Sequence, residues 1–154
     1  MRCLASLGLV LLLAATAAGH ADAACSVAAT GIDFGVYDVF SPNPVDSTGS
    51  VTVSCDAIPP GSVVVAIGPG GAGGFRPRQM RHPSLPDTLG YNVFTSSSMA
   101  AVWGDGTGGT ATVRIGAVPP PRPPKPITLH GRIPPGQNVP AGTYSDTLVV
   151  TITW

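Results

Sequence analysis

The stretch TLVVTITW at residues 147–154 alternates apolar and polar side chains along almost its whole length. Alternation with a period of two is typical of a β-strand that is buried on one face only. We therefore predict a strand here. One face carries apolar side chains that should meet a core: Leu148, Val150, Ile152 and Trp154. The other face carries Thr147, Thr151 and Thr153, with Val149 as its apolar exception.

Similar alternating or continuous apolar runs recur along the chain. They lie at residues 32–36, 51–55, 62–67, 89–93, 111–115, 127–133 and 148–154. Turn-forming residues stand between them, because the 154 residues include 20 glycines and 17 prolines. About seven short strands separated by turns indicate an all-β sandwich. No linker separates a second segment that is long enough to form its own hydrophobic core, so a single domain is expected.

The charge balance restricts the classes of partner. Eight Lys and Arg residues stand against eight acidic residues, and the formal net charge is zero. Nucleic acids and anionic membrane surfaces are bound through an excess of positive charge. Neither is therefore expected as a partner.

The first 23 residues have the pattern of a signal peptide. Arg2 precedes an apolar stretch at residues 4–18, and Ala21-Asp22-Ala23 resembles a signal-peptidase site. We expect cleavage after Ala23 and an exported mature domain at residues 24–154. We expect no membrane span, because the apolar stretch is short and no later segment is long enough to cross a bilayer.

Two cysteines remain after export, Cys25 and Cys55. An even count in an oxidising compartment predicts one disulfide. The alternative is a lipoprotein with an acylated Cys25. Against it, Asp22 occupies a position where a lipobox requires an apolar residue.

Three sequence features suggest catalysis or ligand binding, and each has a simpler structural interpretation. The glycine-rich stretch at residues 68–74 lacks the Gly-Lys-Ser/Thr of a phosphate-binding loop. The segment WGDGT at residues 103–107 lacks the further oxygen ligands of a calcium loop, and predicts a tight turn at Asp105-Gly106. His82 and His130 are not accompanied by a nucleophile elbow. We therefore predict a protein without catalytic residues, a metal or a cofactor.

Seven segments in order cover nearly the whole mature chain: FGVYD (34–38), GSVTVSC (49–55), FRPRQM (75–80), LGYNVF (89–94), WGDGT (103–107), GRIPPGQ (131–137) and GTYSDT (142–147). Together they resemble the spore coat protein U domain family, the pilin domain of archaic Csu-type chaperone–usher pili. The proline run at residues 119–126 departs from the family pattern. Within the motifs, the resemblance marks five structural residues: Trp103, Asp105, Gly106, Arg132 and Tyr144. The indole of Trp103 should be buried.

The resemblance implies an incomplete immunoglobulin-like sandwich of about six to seven short strands, which lacks its final strand. In such pilins a periplasmic chaperone fills the open groove, and an outer-membrane usher receives the complex. An N-terminal strand from a neighbouring pilin subunit then replaces the chaperone. The groove should be formed here by Leu148, Val150, Ile152 and Trp154. Nothing follows Trp154 that could serve as the missing strand, and a chaperone would grip its terminal carboxylate.

A shaft subunit carries an alternating apolar extension ahead of its first cysteine, and donates it to another subunit. Cleavage after Ala23 leaves only Ala24 before Cys25. We therefore expect this chain to accept a strand without donating one. The implied role is a tip or cap subunit of a fimbrium, exported through the periplasm to the cell surface for adhesion or biofilm formation. The alternatives are a secreted coat or matrix protein that forms no fibre, and a secreted hydrolase.

Overall fold

The structure, a computed structural model, describes residues 25–56, 62–116 and 126–154. These ranges contain eight β-strands and no helix. The strands are β1 (Cys25–Thr30), β2 (Val45–Cys55), β3 (Ser62–Ile67), β4 (Arg78–Arg81), β5 (Thr88–Phe94), β6 (Val113–Gly116), β7 (Ile127–Ile133) and β8 (Val150–Thr153). The expected signal peptide at residues 1–23, the turn at 58–61 and the proline run at 119–125 lie outside the described residues.

The strands form two sheets in which each strand pairing is antiparallel. The five-stranded sheet has the order β1-β2-β7-β5-β4, and the three-stranded sheet has the order β6-β3-β8. The predicted all-β architecture of short strands is confirmed, although the eight strands exceed the expected six to seven. No helix in the described ranges is long and apolar enough to cross a membrane.

The core contains the apolar faces of the strands. β3 illustrates the origin of this core, because Val63, Val65 and Ile67 are buried whereas the residues between them are partly exposed. The other buried apolar residues are Val51, Val53, Met80, Leu89, Tyr91, Val93, Val102, Trp103, Leu129 and Ile133. Full burial of one large aliphatic or aromatic side chain contributes about 1.5–3 kcal/mol. This layer is therefore the main source of stability.

The run at residues 32–36 differs from its prediction, because it forms no strand in the structure. Gly49 on β2 and Gly131 on β7 explain its course. A Cβ on Gly131 would lie 2.7 Å from Cζ of Phe34, and a Cβ on Gly49 would lie 2.6 Å from the carbonyl oxygen of Thr30. The missing side chains let this segment pass directly over the five-stranded sheet, where it joins no β-ladder.

Alternation does not predict two of the strands, β1 and β4. In its sequence CSVAAT, Val27 is the one large apolar residue, and all residues after Cys25 are exposed. β4 begins with Arg78, a charged residue whose side chain is buried. A pattern that equates charge with exposure cannot detect such a strand.

Cys25 and Cys55 form a disulfide that joins β1 to β2. The two residues lie directly opposite each other in the register of these strands. The predicted disulfide is therefore confirmed, and it leaves no free thiol on Cys25 for acylation. A bridge across 30 residues contributes about 3–4 kcal/mol in the chain-entropy model, because it restricts the unfolded chain.

Candidate functional site: a groove beside the last strand

A groove runs between the segment that follows β1 and the segment that leads into β8. It contains two cavities, of about 290 Å³ and about 760 Å³. Residues 29–32 and Phe34 line the smaller cavity together with Leu148 and Val150. The larger cavity lies between residues 32–40 and 139–144. Four residues line both cavities: Ile32, Phe34, Met80 and Tyr144. The cavities are therefore adjoining parts of one groove.

The floor of the groove is the apolar core itself. Eight buried core residues line one or both cavities: Val51, Ile67, Tyr91, Val93 and Leu129 in the smaller, Leu89 and Ile133 in the larger, and Met80 in both. An apolar side chain that entered either cavity would therefore contact the interior directly and leave water. Removal of apolar surface from water is the main favourable term in protein association.

The groove also lies between two sheet edges. β1 is an edge of the five-stranded sheet, and β8 is an edge of the three-stranded sheet. Ahead of β8, Ser145 exchanges hydrogen bonds of 2.8 and 3.1 Å with Arg81, and the carbonyl of Val149 accepts one of 2.8 Å from the N–H of Gly68. Within the described chain, no strand pairs with the groove side of β8. An extended peptide can add to an edge of this kind.

Side chains of the last segment alternate in exposure. Five of them are partly buried: Tyr144, Asp146, Leu148, Val150 and Ile152. Of the groove residues named from the sequence, Leu148 and Val150 line the smaller cavity, and Ile152 packs against the core. Trp154 was expected on the same face, but its side chain is 48% exposed and lines neither cavity.

Asp146 places a carboxylate in this apolar lining. Its Oδ2 accepts a 2.7 Å hydrogen bond from the hydroxyl of Tyr91, and its Oδ1 accepts bonds from the N–H groups of Gly71 and Thr147 at 2.9 and 2.8 Å. Burial raises the pKa of Tyr91, and the hydrogen bond to the Asp146 carboxylate raises it further. The hydroxyl therefore stays protonated at neutral pH and connects β5 to the last segment.

Arg78 is a buried cation that sequence reasoning did not select. Its guanidinium donates five hydrogen bonds of 2.7–3.2 Å. The acceptors are the carbonyl oxygens of Ile67, Gly68 and Trp103 and the Oδ1 of Asn92. Burial lowers the pKa of Arg78 from its usual value. The one sequence feature that pointed to Arg78 was its position in the FRPRQM motif at residues 75–80. The side chain joins β4 to the end of β3 under the groove.

The segment at residues 103–107 forms a structural turn. Trp103 is buried, and its indole N–H donates a 3.0 Å hydrogen bond to the carbonyl of Val65. The Oδ1 of Asp105 accepts bonds from the hydroxyl and the N–H of Thr107 at 2.6 and 2.8 Å, and these bonds hold the pKa of the carboxyl below its usual value. Gly106 has a φ of 90°, a conformation that favours glycine.

Arg132 and Tyr144 make separate contacts. Arg132 forms a bidentate ion pair with Asp46, with N–O distances of 2.6 and 2.7 Å, across β7 and β2. This pair is solvent-exposed and outside the groove. The hydroxyl of Tyr144 donates a 2.9 Å bond to the carbonyl of Pro140, and its ring lies edge-on to His82. Tyr144 is therefore part of the groove wall, whereas Arg132 braces the outside of the sheet.

The described site offers apolar surface and backbone edges rather than reactive groups. Tyr91 and Asp146, two of the polar residues in the lining, bond to each other. In the described ranges, no three His, Cys, Asp or Glu side chains are placed to hold a metal ion. The arrangement is suited to binding an extended apolar segment.

Comparison with known families matches residues 11–151 to the Spore Coat Protein U domain. The chain belongs to the Spore Coat Protein U domain family. Protein U of Myxococcus xanthus is similar to this Spore Coat Protein U domain, with 36% identity over 134 residues. The match covers 80% of this chain and 71% of that protein.

A solved structure shares the fold of this Spore Coat Protein U domain. It is the crystal structure of the CsuC-CsuE chaperone–tip adhesion subunit pre-assembly complex from the archaic chaperone–usher Csu pili of Acinetobacter baumannii. The TM-score is 0.57 at 21% sequence identity. The match covers 86% of this chain and 40% of that chain, so this domain spans two-fifths of its length.

Proposed function

We propose that this protein is an exported, non-enzymatic subunit of a surface fibre that is assembled by the chaperone–usher pathway. The observation that carries the proposal is the groove, in which apolar core residues are reachable between two sheet edges. A strand added there would bury alternate side chains in the two cavities. Its backbone would pair with the edge of β8, as in other cases of strand addition.

Such a groove requires a partner during export. An open sheet edge beside an apolar core promotes aggregation. A periplasmic chaperone that filled the groove would prevent this, and an outer-membrane usher would then receive the complex. A neighbouring pilin subunit would finally replace the chaperone with its own strand. The solved structure with a similar fold is a chaperone–subunit complex, which supports a chaperone as the first partner.

We further propose a position at the tip or cap of the fibre. With cleavage after Ala23, only Ala24 precedes Cys25. This leaves no alternating apolar extension for donation to another subunit. A subunit that accepts a strand without donating one terminates a fibre at its distal end. Adhesion or biofilm formation is the role that such a position supports.

A second candidate function is a secreted coat or matrix protein that uses the same domain without a fibre. The 36% identity to Protein U, in a family named for a spore coat, favours this candidate. In that case the mature protein should be a stable monomer without a chaperone.

The groove is tested with the mature chain and a synthetic peptide of alternating valine and threonine. We expect the peptide to bind and to slow hydrogen exchange of backbone amides at residues 148–153. The control peptide carries proline at alternate positions, because proline lacks the N–H that strand pairing needs. Unchanged exchange with the alternating peptide would contradict strand acceptance.

Leu148→Arg and Val149→Arg provide a matched pair of variants. Leu148 lines the smaller cavity, whereas Val149 is 66% exposed. Leu148→Arg should abolish both peptide binding and co-purification with the periplasmic chaperone, and Val149→Arg should preserve both. Equal binding by the two variants would contradict the groove assignment. A chaperone-independent monomer that binds no peptide would favour the coat protein.

A further inference from the structure

Val36 and Phe40 are the most exposed large apolar side chains in the described chain, with 88% and 92% of their surfaces in contact with solvent. Both lie in the segment between β1 and β2, and both line the larger cavity of the groove. We call them the Val36–Phe40 patch. Association with an apolar surface would remove their side chains from water, which favours binding.

Two turns present the patch in a defined conformation. The carboxylate of Asp33 accepts a 2.9 Å hydrogen bond from the N–H of Gly35, and the carboxylate of Asp38 accepts one of 2.9 Å from the N–H of Phe40. The N–H of Ser41 donates to the carbonyl of Asp38 at 3.1 Å, which closes a turn around Phe40. A backbone held in this way loses little conformational freedom on binding, and pre-organisation of this kind favours affinity.

Tyr37 anchors the segment between the two exposed residues. Its hydroxyl donates a 3.3 Å hydrogen bond to the carbonyl of Pro134 and accepts one of 2.9 Å from the N–H of Gln137. The side chain is partly buried against the core. Val36 and Phe40 therefore project from a segment that is fixed to the body of the domain.

The patch lies at the wide end of the groove. At this end the cavity measures about 760 Å³, against about 290 Å³ at the end nearer β1 and β8. β1 and β8 also approach each other, with Cα atoms within 8 Å. An extended segment in the groove would therefore leave the molecule past Val36 and Phe40.

We infer that the Val36–Phe40 patch docks the folded body of the subunit that donates the groove-filling strand. This inference rests on the proposed function. A donated terminal extension continues directly into its own folded domain, so that domain must lie beyond the end where the extension leaves the groove. The patch occupies that end, and its apolar surface continues from the lining of the larger cavity.

The charges beside the patch define the chemistry of the donor surface. Asp33 and Asp38 are both exposed and flank Val36 in sequence. Complementary charges increase association rates and specificity. The donor surface should therefore combine an apolar side chain with a neighbouring Lys or Arg.

The test compares two probes made from a chaperone–usher pilin that carries an alternating apolar N-terminal extension. One probe is the intact donor subunit, with its own groove filled by a fused strand. The other is its N-terminal extension as a synthetic peptide. The double variant V36S/F40S should bind the intact donor about tenfold or more weakly, as for a central interface contact. Its affinity for the peptide should fall by a much smaller factor, because both side chains line the larger cavity but remain mostly exposed.

Two further variants sharpen the test. Leu85→Ser is the control, because Leu85 is an exposed apolar residue that lines neither cavity. It should leave both affinities unchanged. D33N/D38N removes both charges but retains a side-chain oxygen that can accept each hydrogen bond of the turns. It should slow association with the intact donor at low salt. An association rate equal to that of the wild type would overturn the charge argument.

The outcomes separate this inference from the proposed function. Equal affinity of V36S/F40S and wild type for the intact donor overturns the inference and leaves strand acceptance intact. An equal fold-loss of affinity for the peptide and for the intact donor would mean that the patch only shapes the groove, which also overturns the inference. Weaker chaperone capture with normal donor affinity would assign the patch to the chaperone instead. Failure of the wild type to bind the peptide would reject the proposed function itself.

Discussion

The hydroxyl of Tyr91 donates a 2.7 Å hydrogen bond to the carboxylate of Asp146, and so connects β5 to the segment that leads into β8. Tyr91 belongs to the buried core, whereas Asp146 lies on the groove wall. The bond therefore holds that wall in place before any strand is added. The Asp146 carboxylate also accepts hydrogen bonds from two backbone N–H groups, so three donors fix its position.

Tyr91→Phe removes this bond and little else. We expect the free energy of unfolding to fall by about 1.5–3 kcal/mol, the usual contribution of a hydrogen bond to a charged group. Urea denaturation followed by fluorescence measures the change. An unchanged midpoint would show that the bond does not stabilise the groove wall.

We expect Tyr91 to make the stability of the protein depend on pH in the alkaline range. The pKa of Tyr91 is raised in the folded state, chiefly by burial, above its ordinary value of 10.0. Its contribution to stability is therefore complete below about pH 10 and is lost as the pH rises further, because the unfolded chain releases the proton more readily. The free energy of unfolding should fall less steeply with rising alkaline pH in Tyr91→Phe than in the wild type. Identical slopes would contradict the assignment.

Arg78→Met should be severely destabilising. The change leaves the buried carbonyl oxygens that accept from Arg78 without a donor, and each such acceptor costs about 1–3 kcal/mol. We expect a total loss of about 3–5 kcal/mol in urea denaturation. Arg76→Met is the matched control, because Arg76 donates to the carbonyl of Gly109 at an exposed position. A similar loss in both variants would argue against a special role for Arg78.

Gly131→Ala tests the path of the segment that crosses the sheet. The added Cβ would lie 2.7 Å from the ring of Phe34, which must then move. Overpacking of this kind typically costs about 1–3 kcal/mol. Gly116→Ala is the control, because no atom lies within 4 Å of its added Cβ, and a change of about 0.5 kcal/mol or less is expected. Thermal unfolding of both variants would reveal the difference, and equal melting temperatures would refute the packing argument.

Replacement of either Cys25 or Cys55 by Ser should lower the free energy of unfolding by about 2–5 kcal/mol, as in other small exported domains. Intact-mass measurement of the mature wild type should show the loss of two hydrogens that accompanies the bridge. It should show no acyl group. A diacylglyceryl mass on Cys25 would contradict the disulfide in the exported protein.

Asp105→Asn should leave the turn at residues 105–107 intact. The side-chain oxygen of asparagine can accept the two bonds that Thr107 donates to Asp105, and both residue types favour such turns. We expect an unchanged melting temperature. Asp105→Ala removes the acceptor of both bonds and should lower the melting temperature. Thermal denaturation compares the two, and equal losses would rule out the hydrogen-bonding role.

Part of the groove was predictable from local pattern. Alternation along residues 148–152 placed Leu148, Val150 and Ile152 on one face, and the structure has this face toward the core. The opposite wall was not predictable as such. Residues 32–36 alternate like a strand, but Gly49 and Gly131 allow them to cross the sheet without pairing. Alternation of side chains does not show whether the backbone of that segment pairs with a neighbouring strand.

The sequence by itself determined the all-β class, the disulfide and the inward face of the last strand, because these follow from local alternation and from cysteine count. Only the tertiary structure decided that β1 and β8 are sheet edges beside an open groove. It also decided that Arg78 is buried and that Tyr91 meets Asp146 across 55 residues of chain. Strand order and long-range contacts depend on how the whole chain packs, so no local pattern of residues could specify them.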